Sequence, residues 1–445
     1  MKKGLILFCL LICLQFSGFG TGSAPEPVRG ISNPPSGKLL SDWIALQLKF
    51  VRNTKGLGQG HLFKHFTLTS VALYESVVNG DKRYQSLGGQ LQGLAQFAPV
   101  ATDKKFCWEA SANAVLASML RTFYPAPGNV ARVDSLENFY FQHLTKEGYT
   151  EENVRKGSDY GKSIASAVLE WSKSDGSANS HPPYEVKKGE GLWEPTPPAF
   201  GAPLAPYAYY NRTYVKNSTD NTMPVQPAIF STEPGSAFYT MVNEVYTVSQ
   251  NLTEQQKEMA LFWDDLPDGR YFGAAGHWAS IFRQVVVLKQ LSLIESAEAF
   301  AKMNIAMSDA FNACWRAKYT FSLLRPVTYI NKHMDKPDWR PLIVTPSHPE
   351  YPAAHATMSM AAATALTMTL GNDIAFTDHS YDDLGLKPRN YKSFDDAGKE
   401  AGLSRLYGGI HYRPSIEAGY GVGSKAATNV LNGLMFKKKK NPKDI

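Results

Sequence analysis

Apolar residues recur every three or four positions through two long tracts of this chain, and between the tracts the pattern disappears. In the first tract, "LSDWIALQLKFVRNT" (40–54) and "HLFKHFTLTSVALYESVVNG" (61–80) each carry one apolar face at helical spacing. The second of them stops at Asn79-Gly80, a usual helix end. "WEASANAVLASMLRTFY" and "YGKSIASAVLEWSKS" continue the pattern, and the small residues on their faces predict close helix–helix packing. The pattern returns near 236 and runs to about 436, through "SAFYTMVNEVYTVSQNLT", "HWASIFRQVVVLKQLS", "SAEAFAKMNIAMSDAFNACWRAKYTFSLL", "HATMSMAAATALTMTL" and "SIEAGYGVGSKAATNVLNGLM". Alternating strand patterns are scarce, and there is no internal repeat. The expectation is an all-α protein.

Residues 181–235 interrupt the helices. "SHPPYEVKKGEGLWEPTPPAFGAPLAPYAYYNRTY" has no period, and proline at this density excludes a regular helix. Its Trp and Tyr content predicts an ordered crossover, and long irregular segments are often functional. The expected organisation is a leader over 1–24, an N-terminal helical region over 25–180, the crossover over 181–235, a C-terminal helical bundle over 236–436 and a basic tail over 437–445.

The leader is read from "MKKGLILFCLLICLQFSGFGTGSA": two lysines, an apolar run, then small residues, the order of a secretory signal. Ile12 before Cys13 argues against a lipid anchor there. No later stretch is long and apolar enough to span a bilayer, so the mature chain is expected to be exported, to the periplasm or beyond. Beyond the leader remain Cys107 and Cys314, read either as one long-range disulfide or as two buried thiols. Sequons stand at Asn211, Asn217 and Asn251. With 43% hydrophobic and 19% charged residues the chain is globular in composition, and 445 residues suffice for a large core. The net charge of +6 owes part of its excess to Lys437–Lys440. No basic patch is interleaved with aromatics, which argues against nucleic acid.

Three segments of the second tract set charged residues in apolar surroundings. In "WRAKYTFSLLRP", Lys318 and Arg325 stand two helical turns apart, which on one helix puts both on one face, with Pro326 ending it. They read as an anion site or as a solvated basic face. In "PEYPAAHATMSMAAATALTM", Pro352 sets a helix start whose free N–H groups and first-turn His355 suit an anion; His355 also reads as a structural hydrogen-bonder. In "GLSRLYGGIHYRPSIEAG", Gly408-Gly409 allow a break that brings Arg405 and His411 to one point. Three permanent cations match a tetrahedral oxyanion, and two histidines suit one nucleophile or ligand and one acid–base group.

The order Lys318-x6-Arg325-Pro326, then Pro352-Ala353-Ala354-His355, then Ser404-Arg405-x5-His411-x3-Ser415 resembles the signature of the type 2 phosphatidic acid phosphatase superfamily. "GLWEPTPPAFGAPLAP" and "FGAAGHW" resemble its exported bacterial, vanadium-dependent haloperoxidase-like branch. The resemblance implies two helical-bundle halves of the haloperoxidase and acid phosphatase type, and an oxyanion held by Lys318, Arg325, Arg405 and the 353–354 backbone. It implies His411 as the axial ligand of vanadate or as the phosphorylated nucleophile, and His355 as the acid–base residue. The cofactor implied is vanadate, whose place phosphate can take. The reactants implied are hydrogen peroxide and a halide. The alternatives are a phosphomonoesterase acting on a phosphate monoester through His411, and a non-catalytic oxyanion binder. Trp315, His348, His277, Asp265 and Ser415 are further pocket candidates. His277 also reads as structural, and Asp264 and Asp265 as helix-terminus residues.

The chain departs from the signature at three places. Ala353 and Ala354 stand where the family has Ser and Gly, and Ser415 where it has Asp. Loss of a hydroxyl bonded to a charged oxyanion costs about 1.5–3 kcal/mol. Alanine for glycine carries a penalty only where φ is positive. Loss of the Asp leaves His411 without a carboxylate close in sequence to orient it, and predicts a weaker nucleophile. Restoring the hydroxyl with Ala353→Ser should tighten vanadate binding roughly ten- to a hundredfold. Titration of vanadate into both proteins measures this, and an unchanged affinity would mean that residue 353 does not reach the oxyanion.

Overall fold

The helical stretches begin where side chains satisfy the free amides of a first turn. Ser292 accepts from Glu295 N–H while the Glu295 carboxylate returns to Ser292 N–H at 3.0 Å, and this reciprocal cap opens α9 (Leu293–Phe321). Thr253 and Gln256 do the same for α7 (Glu254–Phe262), and Ser236 caps α6 (Ala237–Gln250). The computed structural model describes residues 37–98, 100, 106–266 and 269–439. The leader expected over 1–24, with Cys13, and the end of the basic tail lie outside the described residues.

In the first tract α1 (Gly37–Asn53), α2 (Gln59–Val77), α3 (Trp108–Phe123), α4 (Pro127–Lys146) and α5 (Glu151–Ser172) form one layer, with α3 against both α2 and α5. The second adds α8 (Gly273–Leu288), α10 (Pro326–His333), α11 (Ala354–Leu370), α12 (Phe394–Tyr407) and α13 (Arg413–Gly433). Among the described residues the one sheet is a two-stranded antiparallel ribbon, Phe376–Asp378 against Arg389–Tyr391, with Phe376 opposite Tyr391. The protein is all-α in class. Among the described residues, no helix is long and apolar enough to cross a membrane.

α9 is the central element. It packs on α2 from one tract and on α11 and α13 from the other, inside an apolar cluster that runs through both. α11 is buried on nearly every side, which explains its lack of an amphipathic stripe. The small residues permit close approach: an added Cβ at Gly423 would come 2.1 Å from Thr357 O of α11, and one at Gly161 would come 2.2 Å from Ser111 O of α3.

The irregular crossover is anchored along α9. Trp193 is buried and its N–H donates to Ser322 O; Leu324 N–H donates to Gly191 O. Tyr214 and Val215 N–H groups donate to the buried Asp309 carboxylate at 2.7 and 3.0 Å. Tyr319 Oη and Trp315 Nε1 both donate to Leu204 O.

Two local expectations are corrected. Lys318 and Arg325 do not share a helix: α9 stops at Ser322, whose left-handed φ of 50° turns the chain. Arg325 is the N-cap of α10 and Pro326 opens that helix rather than ending the previous one. Likewise Pro352 does not sit in the first turn of α11; Ala353 is the N-cap and Ala354 the first helical residue. Cys107 and Cys314 are both buried free thiols.

Packing at Gly423 generates a test. Gly423→Ala should destabilise the protein by about 1–3 kcal/mol in denaturant unfolding. Gly421→Ala, on the same helix with open space around it, should be neutral or stabilising by up to about 1 kcal/mol. Equal effects at the two positions would contradict the close α11–α13 contact.

Candidate active site

The turn at Ser322 sends Lys318 and Arg325 to one place although they stand on different elements. Both are fully buried. Lys318 Nζ donates to three main-chain carbonyls, of Pro349, Glu350 and Pro352, at 2.8, 2.9 and 2.6 Å. Arg325 donates from Nε to His348 O at 3.0 Å and from NH1 to Ile410 O at 2.9 Å. Its NH1 also lies 3.2 Å from His411 Nε2, and its NH2 3.1 Å from His348 Nδ1. The two cations therefore hold the 346–352 loop and the 410–411 turn together.

His411 reaches them because α12 ends at Gly408 and Gly409, the latter at φ 77°. Its Nδ1 is 2.7 Å from Glu350 Oε1. A guanidinium only donates, so Nε2 turns its lone pair to Arg325 NH1 and Nδ1 carries the proton toward Glu350. The same carboxylate accepts from Tyr412 N–H at 3.0 Å and from Ser415 Oγ at 2.6 Å. Glu350 is the residue that sequence reasoning missed. The carboxylate sought at position 415 comes instead from the loop before α11, and Ser415 binds it. The expectation of a His411 without an orienting charge is thereby corrected. The available signal was a lone acidic residue in an otherwise apolar stretch, "PEYPAAHA".

Arg405, at the end of α12, is nearly buried; NH1 donates to Asp264 O at 3.3 Å. Its Nε and NH2 have no hydrogen-bond partner among the described residues. Burial is the first cause that pushes Lys318 down to about 7 and Arg325 down to about 10. Burial, then Arg325 and Lys318, hold His411 well below the usual imidazole range, and the field of Arg405 also reaches it. Burial pushes the Glu350 carboxyl up to about 7. Three cations around one carboxylate and neutral imidazoles make a positive interior suited to an anion. An oxyanion would meet the Nε and NH2 of Arg405 and the lone pair of His411 Nε2. Lys318 and Arg325 have main-chain acceptors already and contribute chiefly their charge.

His355 occupies the first turn of α11, where Ala354 has ordinary helical backbone and carries no strain. Its Nε2 lies 2.8 Å from Asp265 Oδ2. Burial and then Arg405 lower its pKa, opposed by Asp265. Asp265 is buried beyond the end of α7 and receives Tyr381 Oη at 2.7 Å. It thus stands just past a helix terminus, with its side chain against His355. His277 is buried behind it, next to Asp378. His348 lies tilted against Trp315, 5.1 Å between ring centres. Trp315 also lines a cavity of about 520 Å³ with Phe63, Tyr207, Phe311 and Gln59. Gln59 Nε2 also donates to Asp265 O at 3.4 Å. No cluster of three or more His, Cys, Asp or Glu able to hold a metal cation occurs among the described residues.

Residues 298–437 match the family model of the VCPO second helical-bundle domain. A solved bacterial vanadium-dependent iodoperoxidase matches at 31% identity, covering 91% of this chain and 98% of that one, with a TM-score of 0.83. The chain belongs to the vanadium-dependent haloperoxidase family. Holo and apo structures of a bacterial vanadium-dependent chloroperoxidase, each at 14% identity, share the fold, with TM-scores of 0.60 and 0.62. They cover 92% and 86% of this haloperoxidase-family chain, and 94% and 98% of their own. A search of curated proteins gave no match.

In this haloperoxidase-family site, Glu350→Gln keeps the shape and removes the charge on His411. Vanadate affinity should fall about 10–100-fold, as when an outer partner of a ligating histidine is lost. Calorimetric titration measures it; unchanged affinity would mean that the Glu350 charge does not tune His411.

Proposed function

We propose that this chain is a vanadate-dependent haloperoxidase that oxidises halide with hydrogen peroxide, with iodide as its first halide. The observation that carries the proposal is the buried His411, with Nδ1 on Glu350 and Nε2 beside Arg325, in a cluster where Arg405 keeps two donor nitrogens unpaired among the described residues. Similarity to an iodoperoxidase at 31% identity supports the choice of iodide.

Bound vanadate would supply the Lewis-acid centre that activates peroxide. The chain's own residues do the rest. His411 would be the single protein ligand, through Nε2. Arg405 would donate to the oxyanion through Nε and NH2, while the charges of Lys318 and Arg325 offset the anion's. His355, with Nε2 against Asp265, exchanges its proton through Nδ1. It takes a proton from incoming peroxide and returns it to the oxygen that leaves as water. The halide loses two electrons to peroxide, and with one further proton taken up from solvent the products are hypohalous acid and water. Reactants approach through the cavity beside Trp315.

The Glu350–His411 pair also favours a second reading, a phosphomonoesterase. A carboxylate-backed imidazole is a competent nucleophile toward phosphorus, with His355 protonating the leaving alcohol.

One purified preparation separates the readings. With vanadate and peroxide it should oxidise iodide, and without vanadate it should not. The vanadate-free protein should leave a chromogenic phosphate monoester intact. His411→Ala should reduce halide oxidation to background. Phosphate release that vanadate inhibits, without halide oxidation, would support the phosphatase. Retained oxidation in His411→Ala would overturn the assignment of the site.

A further inference from the structure

His277 is fully buried on α8, and its two ring nitrogens face two different carboxylates. Nε2 hydrogen-bonds Asp378 Oδ2 at 2.9 Å, and Nδ1 stands within ion-pair range of Asp265 Oδ1, at 3.4 Å, without a hydrogen bond to it. The other oxygen of Asp265 is the one beside His355 Nε2 at 2.8 Å. The four side chains form a continuous buried line: His355, Asp265, His277, Asp378.

A neutral imidazole has one N–H and one lone pair. Placed here, it would serve one carboxylate and turn a lone pair on the other. Only the imidazolium suits both. Two buried carboxylates without a cation would carry an uncompensated desolvation cost.

The surroundings favour the cation too. The Trp263 ring stacks on His277 at 4.1 Å, and Tyr381 and Phe262 stand edge-on or tilted at 4.8 and 5.4 Å. Aromatic faces attract a cation, more so when it is desolvated. Asp378 is fixed from its far side by Ser380 N–H at 2.9 Å and by Gln284 Nε2 at 3.4 Å.

We propose that His277 is a positioning residue for His355: as a standing imidazolium between Asp265 and Asp378, it keeps Asp265 ionised and aimed, so that His355 holds its proton on Nε2 and works through Nδ1. The mechanistic use of this arrangement rests on the reading of His355 as the acid–base residue; the protonation states do not. Burial lowers the His277 pKa, but the Asp265 and Asp378 carboxylates outweigh it and raise it to about 9. The groups facing His277 are Asp265, Asp378 and Tyr381; those acting on His355 are Arg405, Asp265 and His277. A histidine pKa raised on folding stabilises fully below about pH 6.5 and loses that contribution as pH rises through about 9.

The test uses full-length, vanadate-free protein with 15N-labelled histidine, followed by NMR from pH 5.5 to about 9.5, a window set by the linkage above. His277 should show both nitrogens protonated at neutral pH and lose a proton only near the alkaline end. His355 should be the Nε2–H tautomer. Asp378→Asn, which keeps the shape, should shift the His277 titration toward neutral pH. In His277→Gln the His355 signal should become a tautomer mixture. In vanadate-loaded enzyme, kcat should fall about 10–100-fold, with a displaced pH profile and an unchanged KM for halide. A neutral His277 at pH 7 in the unaltered protein would overturn the proposal. So would a folded His277→Gln protein whose His355 tautomer is unchanged. Loss of all oxidation with the expected imidazole states would count against the haloperoxidase reading and leave the His277 assignment standing.

Discussion

Glu350 ties the site together with both its backbone and its side chain. Its N–H donates to Leu323 O at 2.9 Å, in the turn that follows α9, and its carbonyl receives Lys318. Its carboxylate holds His411, the Tyr412 amide and Ser415. One residue thus links the end of α9, the loop before α11 and the start of α13. The carboxylate also sits among buried cations that would otherwise repel one another. Removing one member of such a buried set leaves the others uncompensated, which is why the cluster behaves as a unit.

That unit needs a rigid frame, and the helix packing supplies it. α9, α11 and α13 approach closely because glycine and alanine occupy their contact faces, and the crossover is fastened to α9 by carbonyl and carboxylate contacts rather than by secondary structure. The chemistry then sits at helix ends. Lys318 is in a last turn, Arg325 at a cap, His355 in a first turn and Arg405 in a last turn. Helix ends leave main-chain groups free, and here Lys318 and Arg325 satisfy several of the loop carbonyls between them.

Much of this was legible in the residue pattern. Helical periodicity located the two tracts, and the loss of period marked the crossover. The three charged segments do converge, and the Gly408-Gly409 break that brings Arg405 and His411 together follows from glycine's freedom at positive φ. The errors have local causes. Lys318 and Arg325 look like one helical face because spacing carries no warning that Ser322 adopts a left-handed turn. The orienting carboxylate was sought near His411 in sequence, whereas Glu350 reaches it from 61 positions away. Asp265 and Asp378 are set beside His277 by tertiary structure alone, which no periodicity encodes.

The central proposal is that vanadate would take the His411 Nε2 lone pair that now faces Arg325, with Glu350 on Nδ1 and Arg405 donating to the oxyanion. A crystal structure of the protein soaked in vanadate tests this most directly. The expected density places vanadium on His411 Nε2, with Arg405 Nε and NH2 donating to its oxygens and Glu350 still on Nδ1. Vanadium bound elsewhere, or an Arg405 that makes no contact with it, would contradict the account.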